Sequence, residues 1–95
     1  MPIRVLLYED NDPLRQAFAM LIGGTPGYEL AGAFVHADDV IHQAGALKPD
    51  VVLMDLEMPG HGGIWATQQI HQYLAGIEVL ILTVFDDDDT VFKAL

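Results

Sequence analysis

The sequence contains no cysteine and few basic residues, and each shortage excludes a class of function. Without cysteine the chain has no disulfide, no thiolate nucleophile and no cysteine-based zinc site. The chain has four Lys and Arg residues and 14 Asp and Glu residues, which gives a formal net charge of −10. A surface with this charge repels phosphate backbones, so we expect no direct binding of nucleic acid by this chain.

Long apolar runs are also absent. No stretch approaches the length of a membrane span, and the N-terminal segment MPIRVLLYED becomes acidic too early for a signal peptide. We therefore expect a soluble, cytoplasmic protein that does not associate with a membrane. The length of 95 residues suits one domain, residues 1–95, and a hydrophobic content of 52% can supply its core.

Four apolar runs alternate with four segments of helical periodicity. Strands are predicted over 3–8, 28–35, 51–54 and 77–84, and helices from residue 11 or 12, over 37–47, over 64–74 and from residue 86. Asn11 or Asp12 is expected to cap the first helix, because Pro13 suits a first helical turn. In the third helix, the predicted inner stripe is Ile64, Thr67, Ile70 and Leu74. The alternation predicts a parallel sheet with helices on both faces.

Polar side chains stand where three of these strands end. Glu9 and Asp10 follow the first strand, Asp55 follows the third, and Thr83 lies near the end of the fourth. Ligands of such sheets bind outside the carboxyl ends of the strands, so we expect these residues to converge. Crowded carboxylates repel each other, and Mg²⁺ relieves that repulsion. The set suits phosphoryl transfer, in which a carboxylate can itself become an aspartyl phosphate.

Structural interpretations exist for each of these residues. Asp55 alone is equally well explained as a turn residue, Thr83 as an ordinary β-branched strand residue, and the acids after the first strand as helix caps. Their combination favours a site. The four histidines are scattered, so a zinc site is not expected from them. His61 lies in the loop after Asp55 and is either a solvated loop residue or a group that tunes Asp55.

Three segments carry a family resemblance: YEDND, VVLMDLEMPGHGG and ILTVFDDDDTVFKAL. They resemble the receiver domain of bacterial two-component response regulators, of the type usually followed by a C-terminal helix-turn-helix output domain. The resemblance covers the whole chain. It implies an α/β, flavodoxin-like, doubly wound parallel sheet with strand order 2-1-3-4. The family has a fifth strand and helix after this point, so residues 1–95 resemble a single receiver domain that is incomplete at its C-terminus.

The resemblance also implies roles for the site residues. Asp55 matches the phosphoacceptor, which takes a phosphoryl group from a sensor histidine kinase. Glu9, Asp10, Asp55 and the backbone carbonyl of Glu57 match the ligands of Mg²⁺, and Thr83 matches the switch hydroxyl that follows phosphorylation. The implied function is a phosphorelay switch that regulates transcription through an output domain absent from this chain. Such a domain is a signalling component and not a turnover enzyme.

The chain departs from the family pattern at its C-terminal end, with two consequences. The family lysine that pairs with the phosphoryl group has no counterpart, because neither Lys48 nor Lys93 occupies its position. Without a fifth strand, the edge of the fourth strand is exposed, so we expect a homodimer through that edge or the fourth helix. Two alternatives remain: a degenerate receiver that acts as a protein-interaction module, and a Mg²⁺-dependent aspartyl phosphatase.

Overall fold

The computed structural model describes residues 1–82 of the chain. Four strands alternate with three helices in this region: β1 (Ile3–Tyr8), α1 (Asp12–Gly24), β2 (Tyr28–Phe34), α2 (Val40–Leu47), β3 (Val51–Asp55), α3 (Gly62–Tyr73) and β4 (Glu78–Leu82). All neighbouring strands are parallel, and their order is β2-β1-β3-β4. The predicted α/β class and strand order are therefore confirmed. Thr83, Val84, Lys93 and the predicted fourth helix lie outside the described residues.

The main core lies between the sheet and the helix pair α2 and α3. Alternate residues of the central strands, Leu6 and Tyr8 of β1 and Val52 and Met54 of β3, are fully buried on this side. They pack against small and branched residues, namely Ala37, Val40, Ala44, Met58, Ala66 and Ile70. Because β3 and the inner part of β1, residues 5–8, are covered on both faces, their sequences are continuously apolar instead of alternating.

Helix α1 covers the opposite face of β1 and β2. Its N-cap is Asn11, whose side-chain oxygen accepts a hydrogen bond of 2.9 Å from the backbone N–H of Leu14. This resolves the predicted choice between Asn11 and Asp12, since Asp12 is the first helical residue. Ile22 is the buried residue of α1, whereas Leu21 is 65% exposed. The helix continues through Gly24, and Thr25 is its C-cap.

The start of α2 and the buried face of α3 differ from the prediction. Helix α2 begins at Val40 and not at Ala37, because residues 37–39 form a turn that is closed by a hydrogen bond from Val40 N–H to the carbonyl of Ala37. In α3 the buried residues are Gly63, Ala66 and Ile70. The prediction that Ile64 belongs to the inner stripe was wrong, since its side chain is 63% exposed. Small residues face the sheet there and let the helix approach closely.

Gly63 fixes the distance between α3 and the end of β3. A Cβ atom at this position would collide with the carbonyl group of Asp55 and would lie 2.9 Å from the Cα of Leu56. The Gly63 N–H also donates a hydrogen bond of 3.3 Å to the carbonyl of Leu56. The first turn of α3 therefore rests directly on the backbone of the last strand residue. Within residues 1–82, no helix combines the length and the apolarity needed to cross a membrane.

Replacement of Gly63 by alanine is expected to lower the free energy of unfolding by roughly 2–3 kcal/mol, because the added methyl group meets backbone atoms that cannot move aside. Gly45→Ala is the matched control. Gly45 lies inside α2 with open space around its Cα, so alanine is expected to raise the stability by about 0.5–1 kcal/mol. Urea unfolding followed by circular dichroism measures both. Equal effects of the two substitutions would contradict the close approach at Gly63.

Candidate functional site

Three carboxylates converge at the carboxyl edge of the sheet. One oxygen from each of Glu9, Asp10 and Asp55 lies within 4.8 Å of the others. Glu9 and Asp55 are buried, at 2% and 7% exposure, whereas Asp10 is exposed. The cluster is thus open on one side and embedded in the fold on the other. These three residues are the acidic side chains that the sequence predicted to meet.

The pairing of the central strands places these carboxylates together. Tyr8 of β1 is the register partner of Met54 of β3, so the residues that follow them, Glu9 and Asp55, stand side by side. The ladder with β2 also extends to Glu9, whose N–H donates a hydrogen bond of 3.0 Å to the carbonyl of Phe34. Asp55 is itself the last residue of β3, one residue beyond the predicted end. Both side chains therefore project from a rigid sheet and not from a mobile loop.

Local hydrogen bonds orient the carboxylates. Asp55 Oδ1 accepts a hydrogen bond of 3.2 Å from the backbone N–H of Glu57, and Glu9 Oε2 accepts one of 3.3 Å from the N–H of Asn11. The Arg15 guanidinium donates at 3.0 Å to the carbonyl of Glu9 and pairs with Asp12 at 2.6 Å. Arg15 braces the turn after β1, but its charge is directed to a carbonyl and to Asp12.

The electrostatics of the cluster are unfavourable without a cation. Burial, together with the hydrogen bond and the negative charge of Asp55, raises the pKa of Glu9 to about 7. Its ordinary value is 4.5. One proton on the Glu9–Asp55 pair therefore partly relieves the repulsion near neutral pH. A divalent cation would relieve it completely, and carboxylate oxygens are the ligands that Mg²⁺ prefers. The donor set thus fits Mg²⁺.

The other predicted site residues are Glu57 and Thr83. The backbone N–H of Glu57 donates a hydrogen bond to Asp55, which places Glu57 beside the cluster. Glu57 itself is exposed. Thr83 lies outside the described residues. Pro59 and Gly63 shape the loop after Asp55 and are not expected to take part in the chemistry, and Gly63 has the close backbone contact already described.

Sequence reasoning missed one contact near the cluster. Asp38, in the loop after β2, accepts a hydrogen bond from the backbone N–H of His61, and the His61 ring stacks on Trp65. The spacing of His61 and Trp65 by four residues was a usable signal for their contact. The partner Asp38 was not predictable, because it comes from a different loop 23 residues earlier.

The fold and the cluster together define a class of protein: a flavodoxin-like α/β domain with three clustered carboxylates at the carboxyl edge of its parallel sheet. Comparison with known families identifies the class further. The family model described as "Response regulator receiver domain" matches residues 5–95. The chain belongs to the response regulator receiver domain family, whose members are signalling domains that bind Mg²⁺ through acidic residues.

Curated relatives agree with this assignment. The transcriptional regulatory protein LiaR of Bacillus subtilis is 39% identical over 93 residues, which cover 98% of this chain and 44% of LiaR. The response regulator protein VraR of Staphylococcus saprophyticus is 35% identical over 95 residues, which cover 100% of this chain and 46% of VraR. The chain thus spans less than half the length of these relatives.

Solved structures give the same result for the fold. The response regulator domain of Thermotoga maritima CheB matches with a TM-score of 0.81 at 29% identity, over 96% of this chain and 69% of that one. A two-component response regulator of the LuxR family from Aurantimonas sp. SI85-9A1 matches with a TM-score of 0.81 at 32% identity, over 99% of this chain and 67% of that one. The flavodoxin-like receiver fold predicted from the sequence is confirmed.

The raised pKa of Glu9 predicts how the stability of the metal-free protein depends on pH. Between pH 4.5 and about 7 the folded protein retains a proton that the unfolded chain has released, so the free energy of unfolding falls as the pH rises through this window. Glu9→Gln removes that loss and is expected to stabilise the metal-free protein at pH values above the window by roughly 1–2 kcal/mol, after allowance for solvent screening.

Urea unfolding in the presence of a chelator, at pH values below and above this window, measures the difference. Glu78→Gln is the control, because Glu78 is an exposed carboxylate at the start of β4. A Glu9→Gln variant that lost stability in parallel with the wild type would show that Glu9 does not hold the proton.

Proposed function

We propose that this chain is the phosphoacceptor domain of a two-component signalling protein and that Asp55 receives the phosphoryl group. The observation that carries the proposal is the convergence of three carboxylate oxygens within 4.8 Å at the carboxyl edge of the sheet. Asp55 stands at the tip of β3, where the Glu57 N–H binds one of its carboxylate oxygens, and a carboxylate oxygen can act as a nucleophile toward phosphorus.

Mg²⁺ would be held by the carboxylates of Glu9, Asp10 and Asp55 and by the backbone carbonyl of Glu57. When bound, the ion would neutralise the negative charge of the carboxylates and of the incoming phosphoryl oxygens. The protein residues hold these carboxylates in place. Two of the carboxylates are fixed by neighbouring strands, so little reorganisation is needed when a donor binds.

The reaction is a transfer from nitrogen to oxygen. A carboxylate oxygen of Asp55 forms a bond to phosphorus while the N–P bond of a phosphohistidine on a sensor kinase breaks. The electron pair of that bond stays on the imidazole nitrogen of the donor, which then takes a proton from solvent. The product is an acyl phosphate on Asp55 and an unmodified kinase histidine.

The proposal extends to the wider protein. Relatives of this chain include transcriptional regulators, and we propose that phosphorylation here controls transcription through an output domain that is not in residues 1–95. Thr83, directly after β4, is proposed as the switch hydroxyl, and the cytoplasm as the location. Residues 1–95 are proposed to act as one receiver domain, with a signalling role and no turnover.

The proposed function predicts a single phosphoryl adduct after incubation with Mg²⁺ and a small phosphodonor such as acetyl phosphate. Intact-mass spectrometry detects the adduct. Asp55→Asn is expected to abolish it, because the amide is not a nucleophile, while Glu57→Gln is expected to retain it, because the proposed ligand there is a backbone carbonyl. An adduct that persists in Asp55→Asn, or its complete absence from the wild type, would contradict the proposal.

A homodimer through the edge of β4 is part of the same proposal. Leu80 and Ile81 are 56% and 44% exposed, and within residues 1–82 no strand pairs with the outer side of β4. Apolar edge strands of this kind associate with other chains. Ile81→Lys is therefore expected to weaken self-association, measured by sedimentation velocity over a range of concentrations. Leu21→Lys, on the exposed face of α1, is the control, and a monomeric wild type at high concentration would contradict the dimer.

A further inference from the structure

One carboxylate fastens the loop that follows Asp55 to the neighbouring loop of the sheet edge. Asp38 Oδ1 accepts a hydrogen bond of 3.0 Å from the backbone N–H of His61 and lies 3.1 Å from Nδ1 of the same residue. Within residues 1–82, Asp38 and Asp55 are the residues whose side chains form hydrogen bonds to the segment 56–61. Asp55 holds the start of this segment, and Asp38 holds its end.

The backbone of the loop is shaped around Asp38. Gly60 has a φ of +84°, a conformation that L side chains rarely adopt, and a Cβ atom at Gly60 would collide with the carboxylate of Asp38. Gly62 has a φ of +81°. The two glycines let the chain turn on either side of His61 so that its N–H and its ring both face Asp38. The contact is therefore built into the local fold and does not depend on side-chain rotamers alone.

The His61 ring is held from a second side by α3. Its centroid lies 4.2 Å from that of the Trp65 ring, and the two planes are inclined by 25°, which is a stacked arrangement. The stack fixes the plane of the imidazole, and Asp38 fixes the direction of Nδ1. Asp38, His61 and Trp65 thus form a cluster, which we name the loop clasp, that joins the loop after β2, the loop after β3 and the second turn of α3.

We propose that Asp38 is a positioning residue for the phosphoacceptor site, which acts through His61 to hold the loop that carries Glu57 against Asp55. This inference rests on the function proposed above. The loop leaves Asp55, carries the Glu57 carbonyl that is proposed to bind Mg²⁺, and returns at Gly63 to the backbone of Asp55. Because both ends of the loop contact Asp55, the clasp at His61 limits how far the carbonyl of Glu57 can move away from Asp55.

The clasp has a charged partner in Asp38. Hydrogen bonds from His61 and the nearby charge of His36 hold the pKa of Asp38 below its ordinary value, so Asp38 remains a carboxylate in neutral solution. A neutral imidazole keeps its hydrogen bond with Asp38, whereas an imidazolium adds a Coulombic attraction and a cation–π contact with Trp65. Asp38 and His36 are the charged or titratable groups that face this contact from the loop after β2, and Trp65 on α3 carries no charge.

The single tryptophan of the chain makes the clasp directly measurable. The imidazole that stacks on the indole shields one face of it, so His61→Gln is expected to increase the quenching of Trp65 fluorescence by acrylamide at a fixed neutral pH. Asp38→Asn is expected to increase this quenching by a smaller amount, because the imidazole loses the carboxylate that directs its Nδ1. Quenching that is unchanged in both variants would overturn the clasp.

Asp39→Asn is the matched control for charge. Asp39 is the neighbouring carboxylate, its side chain makes no capping hydrogen bond to α2, and its replacement removes the same charge. The quenching of Trp65 in Asp39→Asn is therefore expected to match the wild type. Equal quenching in Asp38→Asn and Asp39→Asn would show that net charge, and not the contact with His61, sets the exposure of Trp65, and would overturn the inference.

The positioning role is tested by the rate at which the Asp55 adduct forms and by the affinity for Mg²⁺ from calorimetry. Asp38→Asn is expected to lower both by roughly two- to fivefold relative to Asp39→Asn. Unchanged values in Asp38→Asn would overturn the positioning role. If the wild type forms no adduct, the proposed phosphoacceptor function fails, and the fluorescence and Mg²⁺ measurements still decide whether the clasp exists and holds the loop.

Discussion

The mutual repulsion of three carboxylates at the end of an apolar sheet is the constraint on which the rest of this structure depends. Glu9 and Asp55 are buried side by side because β1 and β3 are adjacent, parallel and in a register that continues from Tyr8 and Met54. Burial keeps solvent from screening the two charges, and the raised pKa of Glu9 reports the cost. The sheet bears this cost because its central strands are covered on both faces and cannot separate the two side chains. The cluster therefore has the donor atoms and the fixed arrangement that a divalent cation requires.

The elements on the two faces of the sheet hold the acidic residues in different ways. On one face, α2 and α3 pack against Leu6, Tyr8, Val52 and Met54, and this dense layer fixes the ends of the strands. On the other face, α1 begins immediately after the acidic turn, and Arg15 in its first turns bonds back to the carbonyl of Glu9. The acidic residues are therefore fixed from the strand side by packing and from the helix side by hydrogen bonds. The loop after β3 is held by side-chain hydrogen bonds to Asp55 and Asp38.

Much of this arrangement could be predicted from the sequence, and the failures have physical causes. The alternation of apolar runs and helical segments is enough to define a parallel sheet, and the strand ends then place Glu9, Asp10 and Asp55 together. The inner face of α3 was not predictable from periodicity, because the residues against the sheet are Gly63 and Ala66, which carry little hydrophobic signal, while Ile64 faces solvent. The pairing of Asp38 with His61 was not predictable either. It joins two loops, and loop contacts follow from the tertiary fold and not from any local repeat.

The contact between Gly63 and the Asp55 backbone has a mechanical consequence. Helix α3 has 12 residues and is therefore about 18 Å long, at a rise of about 1.5 Å per residue. Its first turn lies on the peptide group of Asp55 without an intervening side chain, so the strand tip and the helix behave as a lever with its fulcrum at the acidic cluster. A tilt of about 3° at that fulcrum displaces the far end of the helix by about 1 Å. Any tilt of α3 about this contact would therefore be smallest at the acidic cluster and largest at the opposite edge of the sheet, where the helix ends at Tyr73.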